Sequence, residues 1–235
     1  MLIDPPAPAS VLVVMAHPDD AEFSAGGTLA KWIRSGTQVT YCLCTNGDKG
    51  SADPTLTSAE VARIREMEQR AAAAVLGVAD IVFLGNPDGA LEATLELRRQ
   101  VVEVIRRVRP EAVISPDPTR HYGPTFVNHP DHRAAGEAAL AAVFPSARDP
   151  LMFPEMVRDG LAPHRVAQLF IANPSDVTCL VDISDTIELK IAALREHRSQ
   201  VTEERLRAFI PQRAAEMGKL GGLEAAEGFA HIALP

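Results

Sequence analysis

The chain has 235 residues, of which 46% are hydrophobic, and its formal net charge at pH 7 is −8. This composition can bury the core of one globular unit, so we expect a single domain over residues 1–235. The acidic balance, without any run of Lys or Arg, argues against nucleic acid or an anionic membrane as a partner and favours a small molecule. The apolar run 11–16 is too short for a signal peptide or a membrane span, which predicts a cytoplasmic protein.

Short apolar runs alternate with longer amphipathic stretches, a pattern typical of βαβ units. Predicted strands lie at 11–16, 38–45, 81–84, 112–115, 166–172 and 178–181. Predicted helices lie at about 27–34, 57–77, 95–108, 131–143 and 185–199, followed by a helical tail. Thr57 and Glu60 have capping-box spacing, and Thr94 can cap the helix that Pro110 closes. We predict a Rossmann-like α/β fold with an open, mostly parallel sheet and helices on both faces.

The cysteines give no sign of a disulfide framework. There are three of them, so they cannot all pair within the chain. Cys42 and Cys44 lie two residues apart in an apolar run, on one face of a predicted strand. Structural zinc sites more often use a longer spacing, so we interpret these residues as buried reduced thiols.

The polar loops after the first four predicted strands are the candidate functional region. In open parallel sheets, ligands bind beyond the carboxyl ends of the strands. The loops there are 17–20, 46–50, 86–89 and 116–132. All of them are polar and acidic, and together they hold the main cluster of His and Asp residues. The site is therefore expected at the C-terminal ends of the strands.

Two pairs of potential metal ligands occur in these loops. His17 and Asp20 are three residues apart, as are His129 and His132, so each pair can point the same way. Two histidines and one carboxylate are a standard set for catalytic zinc, which keeps its fourth position for water. Three of these four side chains can bind the metal while one stays free. Asp19 adds a second carboxylate that can move protons beside the metal.

The same residues also have ordinary structural interpretations. Asp19 and Asp20 could cap the helix that follows, and Asp131 could cap the helix that His132 enters. Two acidic loops that both carry histidine at one edge of the sheet favour the functional interpretation. His121 is different, because it lies in a loop rich in Pro and Gly, and we expect it to face solvent.

Two motifs together resemble a known family. The stretch 16–22, Ala-His-Pro-Asp-Asp-Ala-Glu, and the stretch 129–132, His-Pro-Asp-His, are similar to the paired signature of the LmbE-like, or PIG-L, family of zinc-dependent N-acetylglucosaminyl deacetylases. Further similarity lies at 26–29, 45–51, 65–68, 76–77, 87–89 and 190–200. The resemblance thus covers nearly the whole chain, and the two metal motifs in combination are specific.

The resemblance implies a role for each matching residue. It assigns zinc to His17, Asp20 and His132, general-base function to Asp19, and proton donation or oxyanion stabilisation to His129. The residues that it suggests for sugar binding are Arg65 and Asp88, with Asp48 and Asn128 lining the same pocket. Arg65 could equally pair with Glu68 along its helix. Residues 120–127 form a longer segment than in compact relatives, which leaves the substrate open.

The implied activity is zinc-dependent hydrolysis of the acetamide of an N-acetylated amino sugar or its conjugate, which releases acetate and the free amine. Members of the family are often symmetric oligomers, so the resemblance implies a possible homo-oligomer. Residues 145–163 could form the rim of the site or a subunit interface. The alternatives are a non-catalytic metal- or sugar-binding module on the same fold and a Mg²⁺-binding receiver domain. A receiver domain would need an aspartate where the third predicted strand ends at Leu84-Gly85, and it would leave the histidines without a role.

Overall fold

One eight-stranded sheet organises the protein. The structure, a computed structural model, describes residues 1–235. The strands are β1 (Leu2–Ile3), β2 (Ser10–Met15), β3 (Gln38–Thr45), β4 (Asp80–Asn86), β5 (Ala112–Pro116), β6 (Gln168–Ala172), β7 (Cys179–Asp182) and β8 (Ala226–Ala233). Their order is β1-β7-β8-β6-β5-β2-β3-β4. All neighbouring pairs are parallel except those of β8, which runs antiparallel to β6 and β7.

The helices begin and end largely where local signals place them. They are α1 (Asp20–Arg34), α2 (Ser58–Leu76), α3 (Leu95–Val108), α4 (Pro130–Ala141), α5 (Pro154–Arg158), α6 (Ile187–Arg195) and α7 (Glu203–Gly218), with a π-helical turn at Ala142–Ser146. The predicted capping box of Thr57 and Glu60 is present, and the Thr94 hydroxyl accepts from the Leu97 amide. None of these helices is both long enough and apolar enough to cross a membrane.

Strand β2 lies at the centre of two hydrophobic cores. Val11, Val13 and Met15 belong to the core on one face of the sheet, and Leu12 and Val14 belong to the core on the other. Because both faces are covered, the strand is apolar without interruption. The mostly parallel α/β sheet with helices on both faces is as predicted. The three cysteines are free and buried, as expected.

The strand order creates the crevice that holds the site. From β2 the chain moves outward through β3 to β4, then returns to β5 on the opposite side of β2. The loops after β2 and β5 therefore diverge, and ligands bind at such a switch point in open α/β sheets. These two loops carry the two histidine motifs.

Two predictions about the elements are wrong. Helix α1 begins at Asp20 rather than near Gly27, because its first turn carries Glu22 into the interior, where Gln69 donates to Glu22 Oε1. The predicted helical tail ends at Gly218, and the chain then inserts β8 between β6 and β7. The burial of Glu227 within β8 requires Lys190 from α6 as its partner, and no local pattern reveals that pairing.

The proline-rich stretch 145–163 is anchored to the core by one side chain. Arg106 of α3 is 2% exposed and donates hydrogen bonds to backbone carbonyls of residues 146, 147, 149, 152 and 153. A single guanidinium thus satisfies buried carbonyl groups of a segment that has little regular structure. The role of this stretch as a rim or an interface stays a prediction.

Candidate active site

His17, Asp20 and His132 converge at the switch point. His17 Nδ1 lies 3.3 Å from His132 Nε2 and 3.5 Å from Asp20 Oδ2, while His132 Nε2 lies 3.1 Å from Asp20 Oδ1. Burial acts to raise the pKa of Asp20, but His132 and His17 outweigh it and hold that pKa well below its usual range. The donor atoms of the three side chains form one group that can hold a metal ion.

A second group of possible ligands shares His17. It combines His17 with His129 and Asp131. The Asp131 carboxylate, however, already accepts from the amides of Gly89 at 2.7 Å and Leu91 at 3.3 Å. His129 Nδ1 accepts from the Asp131 amide at 3.2 Å. Both oxygens of Asp131 thus accept backbone amides, whereas Asp20 accepts one, from His17 at 2.9 Å, through Oδ2 alone. The group of His17, Asp20 and His132 is therefore the better candidate metal centre.

The second ring nitrogen of His17 faces carboxylates. His17 Nε2 lies 3.0 Å from Asp88 Oδ1 and 3.3 Å from Asp131 Oδ2. Burial acts to lower the pKa of His17, but Asp20 and Asp88 outweigh it and raise that pKa to about 10. Metal-binding histidines commonly donate their other N–H to a carboxylate, which fixes the ring and raises its basicity. His17 therefore presents Nδ1 to the candidate metal centre.

Asp19 lies beside the candidate metal ligands in an unusual backbone conformation. Its φ of 86° is left-handed, and its side chain makes no capping bond to α1, so the interpretation as a helix cap is wrong. Its amide donates to Gln69 Oε1 at 2.9 Å, and its Oδ2 accepts from Arg65 at 3.2 Å. Burial, assisted by the charge of Asp20, raises the pKa of Asp19 to about 7, although Arg65 opposes the shift.

Arg65 is buried and directed at the backbone of the site. It donates to the carbonyls of Pro18 at 2.7 Å and Gly47 at 3.2 Å in addition to Asp19. Glu68 instead accepts from Ser199, so the alternative helical pair is wrong. Gly47 has a φ of +67°, and a Cβ there would lie 2.2 Å from the guanidinium. A glycine is therefore required where the loop passes Arg65.

His129 is the motif histidine that lies outside the candidate metal centre. Its ring packs edge-on against His17 with centroids 4.8 Å apart, and its side chain is 44% exposed. Burial and the charge of His17 lower the pKa of His129, which favours the neutral ring. Because Nδ1 accepts from a backbone amide, the proton of the neutral ring is on Nε2. His129 can thus donate a hydrogen bond without being charged.

The residues expected to bind sugar have protein partners. Asp88 contacts His17 and also accepts from the Lys49 amide at 3.0 Å. Asp48 accepts from the Asp88 amide at 3.1 Å. Asn128 accepts from the His121 amide and donates to the Thr119 carbonyl, each at 2.9 Å. Through these contacts, the two carboxylates and the side-chain amide of Asn128 hold the loops around the site in place.

The amino-acid sequence did not predict a buried polar network that lies behind Asp19. Gln69 donates to Glu22 Oε1 at 2.8 Å, and Glu22 Oε2 lies 3.4 Å from His197 Nε2. All three side chains are buried. Glu22 lies in the motif 16–22 and His197 in the segment 190–200, and the family resemblance of these two segments was the only available signal. Their contact joins residues 175 positions apart in the chain.

A large cavity adjoins the candidate metal centre. Its volume is about 800 Å³, and Asp20 and His132 line one side of it. His121 also lines it, with Nε2 donating to Asp117 Oδ2 at 2.9 Å and Nδ1 lying 3.0 Å from Ser175 Oγ. The expectation of a solvent-facing His121 is wrong, because the loop folds back and turns the ring toward the cavity.

The fold and the site define an α/β protein with a candidate metal centre flanked by a carboxylate and an imidazole at the switch point of its sheet. Comparison with known proteins identifies the family. The family described as PIG-L, GlcNAc-PI de-N-acetylase, matches residues 12–143, more than half of the chain. The chain therefore belongs to the PIG-L, or LmbE-like, family, and the receiver-domain alternative is excluded.

The relatives extend the similarity over nearly the whole chain. Diacetylchitobiose deacetylase of Thermococcus kodakarensis is 35% identical over 225 residues, covering 94% of this chain and 82% of that protein. The 1D-myo-inositol 2-acetamido-2-deoxy-alpha-D-glucopyranoside deacetylase of Rhodococcus erythropolis is 33% identical, covering 82% and 81%. The solved structure of N,N'-diacetylchitobiose deacetylase from Pyrococcus horikoshii superimposes with a TM-score of 0.89 at 32% identity, covering 96% and 84%. These homologues are deacetylases of N-acetylglucosamine-type sugars.

Proposed function

We propose that this chain is a zinc-dependent deacetylase that hydrolyses the acetamide of an N-acetylglucosamine-type sugar or its conjugate, releasing acetate and the free amine. The observation that carries the proposal is the convergence of His17, Asp20 and His132 beside Asp19 and His129, in a chain whose relatives are deacetylases. Each of these side chains has a chemically distinct part in amide hydrolysis.

The three side chains lie close enough together to share one zinc ion. His132 Nε2 lies 3.1 Å from Asp20 Oδ1, His17 Nδ1 lies 3.5 Å from Asp20 Oδ2, and the two histidine nitrogens lie 3.3 Å apart. Zinc sites combine histidine nitrogens with carboxylate oxygens in this way. Two nitrogens and one oxygen leave the fourth position for water or substrate. A zinc ion held by these residues would make water a better nucleophile and would polarise the acetamide carbonyl.

Asp19 takes the proton from the attacking water. Its Oδ2 is held by Arg65 and its amide by Gln69, so the carboxyl group is fixed beside the metal ligands. The water oxygen then forms a bond to the carbonyl carbon, and negative charge develops on the acetamide oxygen. General-base help of this kind contributes about 10²–10⁴ in rate.

His129 stabilises the developing charge. Because Nδ1 of the ring accepts from the Asp131 amide, the ring proton is on Nε2, and Nε2–H is the hydrogen-bond donor. A donor placed in advance at the position where charge develops lowers the barrier without rearrangement. When the C–N bond breaks, Asp19 returns its proton to the departing amine, so water is consumed and the atoms balance.

The substrate-facing roles of Arg65, Asp88, Asp48 and Asn128 are part of the same proposal. Sugar binding by Arg65 and Asp88 is what the family resemblance implies. Their contacts with Asp19 and His17 support a further role, in which they position the base and the metal ligand. Asn128 lines the cavity beside the candidate metal centre, where a sugar would lie.

Acetate release is the decisive measurement. Zinc-loaded protein is incubated with N-acetylglucosamine, diacetylchitobiose and N-acetylglucosaminides of inositol and other small alcohols, and acetate is quantified. We expect turnover of at least one of these sugars, and turnover slower by roughly 10²–10⁴ with Asp19→Asn at matched zinc content. Zinc binding without acetate release from any of them would instead support a non-catalytic metal- or sugar-binding module.

Three further expectations from the sequence belong to this proposal. We propose that residues 1–235 act as one domain, that the protein works in the cytoplasm, and that it forms a homo-oligomer. Native mass spectrometry of the zinc-loaded protein reports the oligomeric state directly.

A further inference from the structure

The cavity beside the candidate metal centre is larger than one acetamido sugar needs. Its volume of about 800 Å³ lies near the upper end for small-molecule sites, about 300–1,000 Å³. It extends from Asp20 and His132 past the loop after β5 to α7, which contributes Arg205, Phe209 and Arg213. Because the acetamide and the anomeric oxygen are on adjacent sugar carbons, a substituent on that oxygen enters this cavity when the acetamide meets the metal centre.

Each acidic side chain that lines the cavity already has a partner within this chain. Asp117 lies 2.9 Å from His121 Nε2. Glu227 lies 2.5 Å from Lys190 Nζ and also accepts from the amides of Gly27 and Thr28. Asp20 is held by His17 and His132. None of these carboxylates pairs with an arginine that lines the cavity.

The arginines that line the cavity are not neutralised. Arg120, Arg205 and Arg213 all line it, and none of them forms an ion pair with a carboxylate of this chain. On the same helix, Arg207 points away and pairs with Glu203 at 3.4 Å. The chain as a whole carries a charge of −8, so three unpaired guanidinium groups in one cavity do not reflect a general excess of positive charge.

Two of these arginines are held in place by uncharged contacts. The guanidinium carbon of Arg205 lies 6.0 Å from the Phe23 ring centre, and that of Arg213 lies 5.8 Å from the Phe209 ring centre. Arg213 also donates to Asn173 Oδ1 at 2.6 Å. Stacking on aromatic faces fixes a guanidinium while leaving most of its N–H groups free for a planar anion.

We propose that the cavity binds the aglycone of the sugar substrate and that this aglycone carries a carboxylate or phosphate group, which Arg120, Arg205 and Arg213 recognise. The inference rests on the proposed deacetylase function and specifies its substrate class. A carboxylate or phosphate accepts paired hydrogen bonds from a guanidinium. A neutral aglycone of similar size would displace water from these cations without replacing its hydrogen bonds.

The test compares substrates that differ only in charge. Acetate release is measured for 4-carboxyphenyl and 4-carbamoylphenyl N-acetylglucosaminides, in both anomeric forms, and for a phosphate-bearing glycoside beside its neutral hydroxyl analogue. We expect kcat/KM to be roughly 10- to 100-fold higher for the anionic member of a pair, the usual worth of charge-assisted hydrogen bonds. The preference should fall as KCl is raised, and the two pairs distinguish carboxylate from phosphate.

Arginine variants assign the preference to the cavity. In the double variant Arg205→Gln/Arg213→Gln, the anionic-to-neutral ratio of kcat/KM should fall toward one. Arg207→Gln on the exposed side of α7 is the matched control and should keep the ratio of the parent protein. Zinc content and the thermal midpoint are measured on each preparation, so that a folding defect is recognised.

The outcomes separate the two proposals. Equal kcat/KM for charged and neutral glycosides, or a ratio that the double variant leaves unchanged, overturns the anionic aglycone while deacetylation itself stands. No acetate from any sugar at full zinc occupancy overturns the proposed function and this inference with it.

Discussion

Glu22 Oε2 and His197 Nε2 lie 3.4 Å apart, and both side chains are fully buried. Burial acts to lower the pKa of His197, but the hydrogen bond and charge of Glu22 outweigh it and raise that pKa. Through Gln69, which bonds Glu22 at 2.8 Å and the Asp19 amide at 2.9 Å, this contact reaches the proposed general base. The turn after α6 thereby supports the backbone that holds Asp19 in its left-handed conformation.

The first prediction tests that support. Gln69→Met keeps the approximate shape of the side chain but removes the acceptor of the Asp19 amide. We expect kcat to fall about fivefold, consistent with one hydrogen bond of about 1 kcal/mol, with little change in KM or zinc content. Steady-state kinetics and metal analysis on one preparation check this. A lower thermal midpoint with unchanged kcat would mean that Gln69 only stabilises the fold.

The second prediction concerns the base itself. Asp19→Asn preserves size but cannot accept the proton of water, so kcat should fall by roughly 10²–10⁴. Zinc should stay bound, because Asp19 lies outside the proposed ligand set. Near-normal turnover would remove Asp19 from the mechanism, whereas lost zinc would make it a ligand.

The third prediction separates the two possible ligand sets. His132→Ala removes a ligand from the set that we propose, and His129→Ala removes one only from the alternative set with Asp131. We expect most zinc to be lost in His132→Ala and retained in His129→Ala, with slower turnover in both. Metal analysis after dialysis against a mild chelator gives the answer. The reverse pattern would establish the alternative set.

The fourth prediction distinguishes positioning from sugar binding at Arg65. Because Arg65 contacts Asp19 and the carbonyls of Pro18 and Gly47, Arg65→Ala should lower kcat more than it raises KM, by roughly 10-fold or more. Zinc should be unaffected. A rise in KM with kcat unchanged would support direct binding of the sugar.

The fifth prediction tests the anchor of the proline-rich stretch. Arg106→Met leaves several carbonyls without a buried donor, which should cost about 3 kcal/mol. For a chain of this size that corresponds to a thermal midpoint lower by roughly 6–12 °C. Arg107→Met, at the exposed neighbouring position of α3, is the control and should change the midpoint little. Equal midpoints for the two variants would show that water replaces the guanidinium.

The sequence by itself determined the sheet and the edge at which the candidate site lies. The apolar run 11–16 predicts a strand because a strand that is buried on both faces has few polar positions. Thr57 with Glu60 predicts a helix start through bonds between near neighbours. The polar loops follow those strands directly. Since the carboxyl ends of parallel strands share one edge, His17 and His132 could be placed together from the order of elements alone.

Only the tertiary structure decided how the polar groups pair. Asp88 meets His17, Arg65 meets Asp19, and Glu22 meets His197 across distances in the chain that no local pattern spans. The same holds for β8, whose place between β6 and β7 depends on satisfying Glu227 with Lys190. A buried charge is tolerable only beside its partner, and the partner is chosen by how elements pack rather than by neighbours in sequence.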